Sequence, residues 1–206
     1  MNSHGAHGGG TGGSASGGGA HGGGLSTAGG FSVIGSGSAA SANPAEFARN
    51  APSFFADPVA WLVSAAVGRA LDDCPDDLAG RPDKVGVIAL SGTCTGLTMA
   101  ALAASAGRGM VSPLRFAGAN PGVLAGLPCI RWRFRGPTLT LAMPPAHGLE
   151  PATVVAGAWL HGGQASHVLI ATHRVEDAVH VARCAVIRAA TDEADGRREL
   201  DRLLGP

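Results

Sequence analysis

Six consecutive apolar residues, Val85-Gly86-Val87-Ile88-Ala89-Leu90, make a run of strand length with no polar positions between them. A strand that is apolar at every position needs cover on both faces, so the chain is expected to fold around a sheet held between other layers. Ser91-Gly92-Thr93-Cys94-Thr95-Gly96 then turns this strand into a small-residue helix from Leu97 to about Ala106. Strand followed directly by helix is the repeating unit of layered α/β folds.

Other segments continue the alternation. Phe31 to Ile34 is a short apolar run closed by Gly35-Ser36-Gly37, which predicts a strand and a turn. Asp57-Pro58 supplies an N-cap followed by proline at the first helical position. From there Trp61, Leu62, Ala65, Ala66, Arg69, Ala70 and Leu71 form an amphipathic helical stripe ending near Cys74-Pro75. Thr138 to Met143 predicts a third main strand, Pro151 to Leu160 a helix, and His167 to Ala171 a fourth strand. The last part reads as a helical region from Val175 to Ala190 with a charged helix after it. The expected fold class is α/β, with a mostly parallel sheet and flanking helices.

At 206 residues there is room for one ordinary domain. From Met1 to about Gly30 the chain is nearly all Gly, Ser, Ala, Thr and His, too poor in apolar surface to offset the entropy of ordering it. Residues 1–30 are therefore expected to be a disordered tail and 31–206 the folded domain. His4, His7 and His21 lie in that tail, where a flexible segment holds no metal geometry.

Fifteen basic and fifteen acidic side chains cancel, and Lys84 is the single lysine, which argues against a nucleic-acid or anionic-membrane partner. Cys74, Cys94, Cys129 and Cys184 are far apart without C-x-x-C spacing, so neither a zinc site nor a disulfide framework is expected. No readable export signal and no run near the roughly 20 apolar residues of a membrane span is present, which favours a reducing cytoplasm.

The first candidate for chemistry is Gly92-Thr93-Cys94-Thr95-Gly96, which fits a G-x-nucleophile-x-G elbow between strand and helix. Cys94 would be the nucleophile, with Asp177 and either His173 or His180 as acid and base. The plainer reading is a glycine turn that lets a strand enter a helix. Histidines 147, 161, 167, 173 and 180 show no H-E-x-x-H or other ligand spacing, so surface or hydrogen-bonded structural roles are expected, with no metal and no cofactor. Trp61, Trp132 and Trp159 fall on separate elements and read as core anchors.

Gly136-Pro137-Thr138-Leu139-Thr140-Leu141-Ala142-Met143-Pro144-Pro145-Ala146-His147-Gly148 resembles the active-site strand and turn of β-ketoacyl synthases. Upstream, Ser112-Pro113, Asn120-Pro121 and Ala125-Gly126 with Ile130-Arg131 resemble the segment that precedes that strand. Downstream, Gly162 to Ala171 resembles the strand after the nucleophile helix. The resemblance covers most of residues 31 to 175. It implies half of a thiolase-like fold, the N-terminal one, because the family's catalytic histidines come from a C-terminal half and none of the histidines here maps onto them.

The resemblance places the family's nucleophilic cysteine at Pro145, which has neither thiol nor N–H. Pro151 further suggests that the following helix starts several residues late and withdraws its dipole. No catalytic residue is therefore expected. The implied role is that of a non-catalytic synthase-like subunit in polyketide or fatty-acid assembly, comparable to chain-length factors. The other readings are a small Cys94-dependent acyltransferase or thioesterase, and a structural remnant without a partner. Implied partners are a full-length ketosynthase or a second copy of this chain, with an acyl carrier protein as a further candidate. The contact would run through the edge of the strand at Thr138, Leu139, Thr140 and Leu141, where Leu139→Pro is expected to delete an edge donor.

Overall fold

A computed structural model describes residues 30–49, 55–110, 112–190 and 196–205. The tail expected at 1–30 lies outside these residues except for Gly30. The elements run β1 (Phe31–Ser41), α1 (Pro58–Asp73), β2 (Val85–Ser91), α2 (Gly96–Ala106), α3 (Pro113–Gly118), α4 (Val123–Trp132) and β3 (Thr138–Leu141). They continue with α5 (Pro145–His161), β4 (His167–Glu176), β5 (Val179–Ala189) and α6 (Gly196–Leu204). No helix among the described residues is long and apolar enough to cross a membrane.

Five strands form one sheet in the order β1-β5-β4-β2-β3. β4, β2 and β3 are parallel, whereas β5 is antiparallel to β4 and β1 antiparallel to β5. The sheet is thus mixed, not mostly parallel as expected. The cause is local: Asp177 and Ala178 both adopt positive φ, 47° and 64°, and such a pair makes a two-residue turn that joins antiparallel strands. The segment from Val175 onward, expected to be helical, is consequently the end of β4, this turn, and β5. Its residues obey a period of two, with Ala182, Cys184 and Val186 packing on one side of the sheet and Ala185 and Ile187 on the other.

β2 is buried at every position, as its composition demanded. Val85, Val87 and Ala89 face a core built with α1 and α4, while Ile88 and Leu90 face a second core built with α5 and α6. α1 is more enclosed than an amphipathic surface helix, burying Val59 to Ser64 without a break. The Asp57 carboxylate caps it by accepting from Val59 N–H at 2.8 Å, and its other oxygen accepts from Thr98 N–H at 2.8 Å. One buried side chain thus ties the starts of α1 and α2 together.

Two further expectations are corrected. β1 does not end at Gly35 but continues to Ser41, with an irregularity in register between Val33 and Gly35. Gly35 and Gly37 serve close packing instead of a turn: a Cβ on Gly37 would sit 2.4 Å from Ala70 N and 2.5 Å from Ala66 O. And α5 begins at Pro145, not near Pro151. Proline is well suited to the first helical position, where its N–H would be unpaired in any case. Pro151 stays inside the helix, where both it and His147, whose carbonyl loses a donor, are exposed to solvent.

Candidate functional site

The carboxyl ends of β2 and β3 lie side by side, the position where open α/β sheets place their ligands. β2 leaves the sheet at Ser91 and turns through Gly92 to Thr95. β3 leaves at Leu141 and enters α5 through Ala142, Met143 and Pro144. The two turns touch, since a Cβ on Gly92 would stand 3.2 Å from Pro144 Cγ. Gly148 is needed for a second close approach: a Cβ there would come within 2.6 Å of Leu90 Cδ2, so glycine lets the first turn of α5 lie directly on β2.

Pro145 is buried at the first position of α5 and offers no N–H. Of the donors that follow, His147 N–H and Gly148 N–H both bond Pro144 O at 3.0 Å. The helix dipole therefore stands in place, contrary to the expectation of a late start, but its end carries no thiol or hydroxyl at Pro145.

Cys94 has the strained backbone of an elbow residue, with φ at 43°. Its thiol is buried and donates to Ser91 O at 3.1 Å, and burial pushes the thiol pKa up. A reactive cysteine needs the opposite shift. Asp177 stands exposed in the β4–β5 turn. His173 does reach this corner, but it bonds Ser91 and not the thiol.

That contact belongs to a directed chain. Ser91 Oγ accepts from Cys94 N–H at 2.8 Å and from Thr93 N–H at 3.3 Å. Its own proton is then left for His173 Nδ1 at 2.8 Å, which makes His173 Nε2 the donor to His180 Nδ1 at 3.0 Å. The two rings stack with centroids 5.2 Å apart. His173 is fully buried, and burial, assisted by neighbouring His180, lowers its pKa to about 4. Sequence reasoning paired these two histidines with Cys94 and missed Ser91; the signal that would have found it is the parallel pairing of β2 with β4, which sets Ser91 beside His173, while the hairpin brings His180 to the same face.

Among the described residues β3 occupies an edge of the sheet, with β2 as its one hydrogen-bonded neighbour. Leu139 and Leu141 pack toward the α5 core, as their alternation with Thr138 and Thr140 predicted. Val87 N–H donates to Pro137 O at 3.0 Å, and this parallel register turns Leu139 N–H inward to β2. The outward backbone groups belong to Thr138 and Thr140, so Leu139→Pro would damage the β2–β3 ladder and not the free edge. Of the remaining histidines, His147 is exposed on α5, and His167 bonds Asp76 and Ser166. Among the described residues no three His, Cys, Asp or Glu gather as a metal-holding group. Trp61 is a core residue, Trp132 stacks on Phe134, and Trp159 lies against Gly86.

No protein-family model and no curated protein sequence matches the chain. Solved structures do. A chain of the AntDE:AntF complex, a type II PKS acyl-carrier protein with its ketosynthase bound to the hexaketide, aligns at TM-score 0.61 and 15% identity over 84% of this chain and 64% of its own. The ishigamide ketosynthase/chain length factor aligns at 0.60 and 16% identity, over 81% of this chain and again 64% of its own. The ketosynthase ApeO in complex with its chain length factor ApeC, from Xenorhabdus doucetiae, gives 0.55 and 11% identity over 78% and 79%. This chain thus spans less than two thirds of the first two. Its fold is the thiolase-like fold of the ketosynthases and chain length factors, as the motifs around β3 implied.

Proposed function

We propose that this chain is a non-catalytic ketosynthase-like subunit of polyketide assembly that pairs with an active, full-length ketosynthase. The observation that carries the reading is Pro145 at the first position of α5, the place to which the β3 resemblance assigns the family's cysteine. A nucleophile is absent there, and the neighbouring donors of His147 and Gly148 are spent on Pro144. One missing oxyanion donor by itself costs about 2.7–4 kcal/mol in catalysis.

Two surfaces favour a partner. The β3 edge presents the outward backbone groups of Thr138 and Thr140, which a partner strand can extend. α2 and α3 leave the large apolar side chains of Leu97, Met99, Leu114 and Phe116 exposed, surface that a partner can cover. Two of the matched structures join a ketosynthase to a chain length factor, which supports the same kind of pairing here.

Two measurements test the proposal. Incubation with an acyl thioester followed by peptide mapping should give no covalent adduct at the β3–α5 turn. Sedimentation with a full-length ketosynthase of the same host should give a mixed species, and Thr140→Pro, which removes an outward N–H, should weaken it. Self-association in place of the mixed species, or a monomer with every ketosynthase tried, overturns the pairing.

A further inference from the structure

At the other end of β2, about 20 Å from Pro145, β2 and β4 begin side by side at Val85 and His167. Ser166 Oγ lies 3.0 Å from His167 Nδ1, and His167 Nε2 lies 2.9 Å from Asp76 Oδ2. A carboxylate only accepts, so His167 carries its proton on Nε2 and keeps Nδ1 as an acceptor for the Ser166 hydroxyl. The hydroxyl's other acceptor, Lys84 O, is farther away at 3.3 Å. Hydroxyl, imidazole and carboxylate therefore stand in a single directed line.

Serine hydrolases hold the same three groups with the ring nitrogens exchanged, Nε2 toward serine and Nδ1 toward the carboxylate. A neutral imidazole has one donor and one acceptor, so either arrangement delivers a base to the hydroxyl. The set is also accessible. Ser166, His167 and Asp76 line an open cleft of about 470 Å³ together with Gly80 and Arg81. The other Ser–His pair, Ser91 and His173, is fully buried and meets no solvent.

We propose that Ser166, His167 and Asp76 form an acyl-transfer site that cleaves small carboxylic esters, with Arg81 as the cation beside the developing oxyanion. Ser166 Oγ attacks the ester carbonyl and its proton passes to His167 Nδ1. The bond to the alcohol breaks and the alcohol takes that proton. Water then cleaves acyl-Ser166, releasing the acid and restoring the hydroxyl. Asp76 is a positioning residue, fixing the imidazole tautomer. The hydrogen bond from His167, reinforced by Arg188 at 2.9 Å, holds its carboxyl below the ordinary value, so it stays ionised while the base works.

The site shares no residue with β3 or Pro145, so the outcome is independent of the subunit reading. The test uses the full chain with p-nitrophenyl acetate, followed by rapid-quench kinetics and peptide mapping. The expected result is an acetyl group on Ser166 and a burst of p-nitrophenol that Ser166→Ala abolishes. His167→Gln should slow acylation by about 10²-fold or more. Asp76→Asn should displace the pH–rate profile, which a purely structural role would leave unmoved. Ser166→Cys keeps a nucleophile of similar size and should be acetylated at that position, so the experiment stays decisive should Ser166→Ala fold poorly. Acetyl groups found only elsewhere, or a burst unchanged in Ser166→Ala, overturn the proposal.

Discussion

Acid should weaken the fold at His173. In the folded chain its Nδ1 receives the Ser91 hydroxyl and its Nε2–H is given to His180, so both nitrogens are satisfied only when the ring is neutral. Protonation would direct an N–H at Ser91 Oγ, which already accepts from Cys94 and Thr93. With the pKa at about 4 folded and about 6.5 unfolded, the neutral ring favours the fold at every pH above 6.5. That stability is lost as pH falls from about 6.5 toward 4. The full loss is about 3 kcal/mol, of which about 2 kcal/mol is gone at pH 5. Urea unfolding at pH 7 and pH 5 reads this as a fall of about 1 M in midpoint. His173→Gln does not titrate, so its midpoint should fall by distinctly less over the same interval. Equal falls in wild type and His173→Gln would refute the assignment of the acid sensitivity to this ring. The Asp76 carboxylate does not confuse the window: its pKa is lowered, so its contribution is present above the ordinary carboxylate value and is lost only below it.

Thr140→Pro should leave the melting temperature nearly unchanged while shifting the association equilibrium toward monomer in sedimentation; a large drop in melting temperature would mean that its N–H points inward after all. Pro145→Cys places a thiol at the N-terminus of α5, a position as buried as Cys94 but where the dipole lowers a thiol pKa while burial raises that of Cys94, so iodoacetamide followed by peptide mapping should label that position ahead of Cys94. Gly37→Ala drives a methyl into the α1 backbone at Ala66 and Ala70 and should cost about 1–3 kcal/mol, seen as a fall of several degrees in thermal melting.

What the sequence made legible was whatever depends on neighbours in the chain. Asp57-Pro58 announced α1, the unbroken apolar run announced β2, and the Thr-Leu alternation announced β3 with its leucines inward. What it hid depends on residues brought together by pairing. β5 read as helix because its turn, Asp177-Ala178, lacks the glycine or asparagine that usually marks two positive-φ positions. The approach of His173 to Ser91 and of His167 to Asp76 could not be seen either, since each joins positions about 80 to 90 residues apart, the first through the parallel pairing of β2 with β4. The start of α5 was misjudged for a different reason. Two prolines competed for the first helical position, and the exposed one at 151 is tolerated inside the helix because water can serve the carbonyl it leaves.

β1 is synthesised early and used late. Among the described residues its one neighbour in the sheet is β5, with Ser41 opposite His180 and Phe31 opposite Ala189. Roughly 140 residues separate Ser41 from that partner, so at ribosomal speeds of about 5–20 residues per second β1 waits on the order of 10–30 s before a place exists for it. Its composition suits the wait. Beyond Ile34 the strand is only Gly, Ser and Ala, a stretch with little to offer a chaperone or a neighbouring nascent chain, and the glycines that later let it lie against α1 also leave it without a sticky face while it is unpaired.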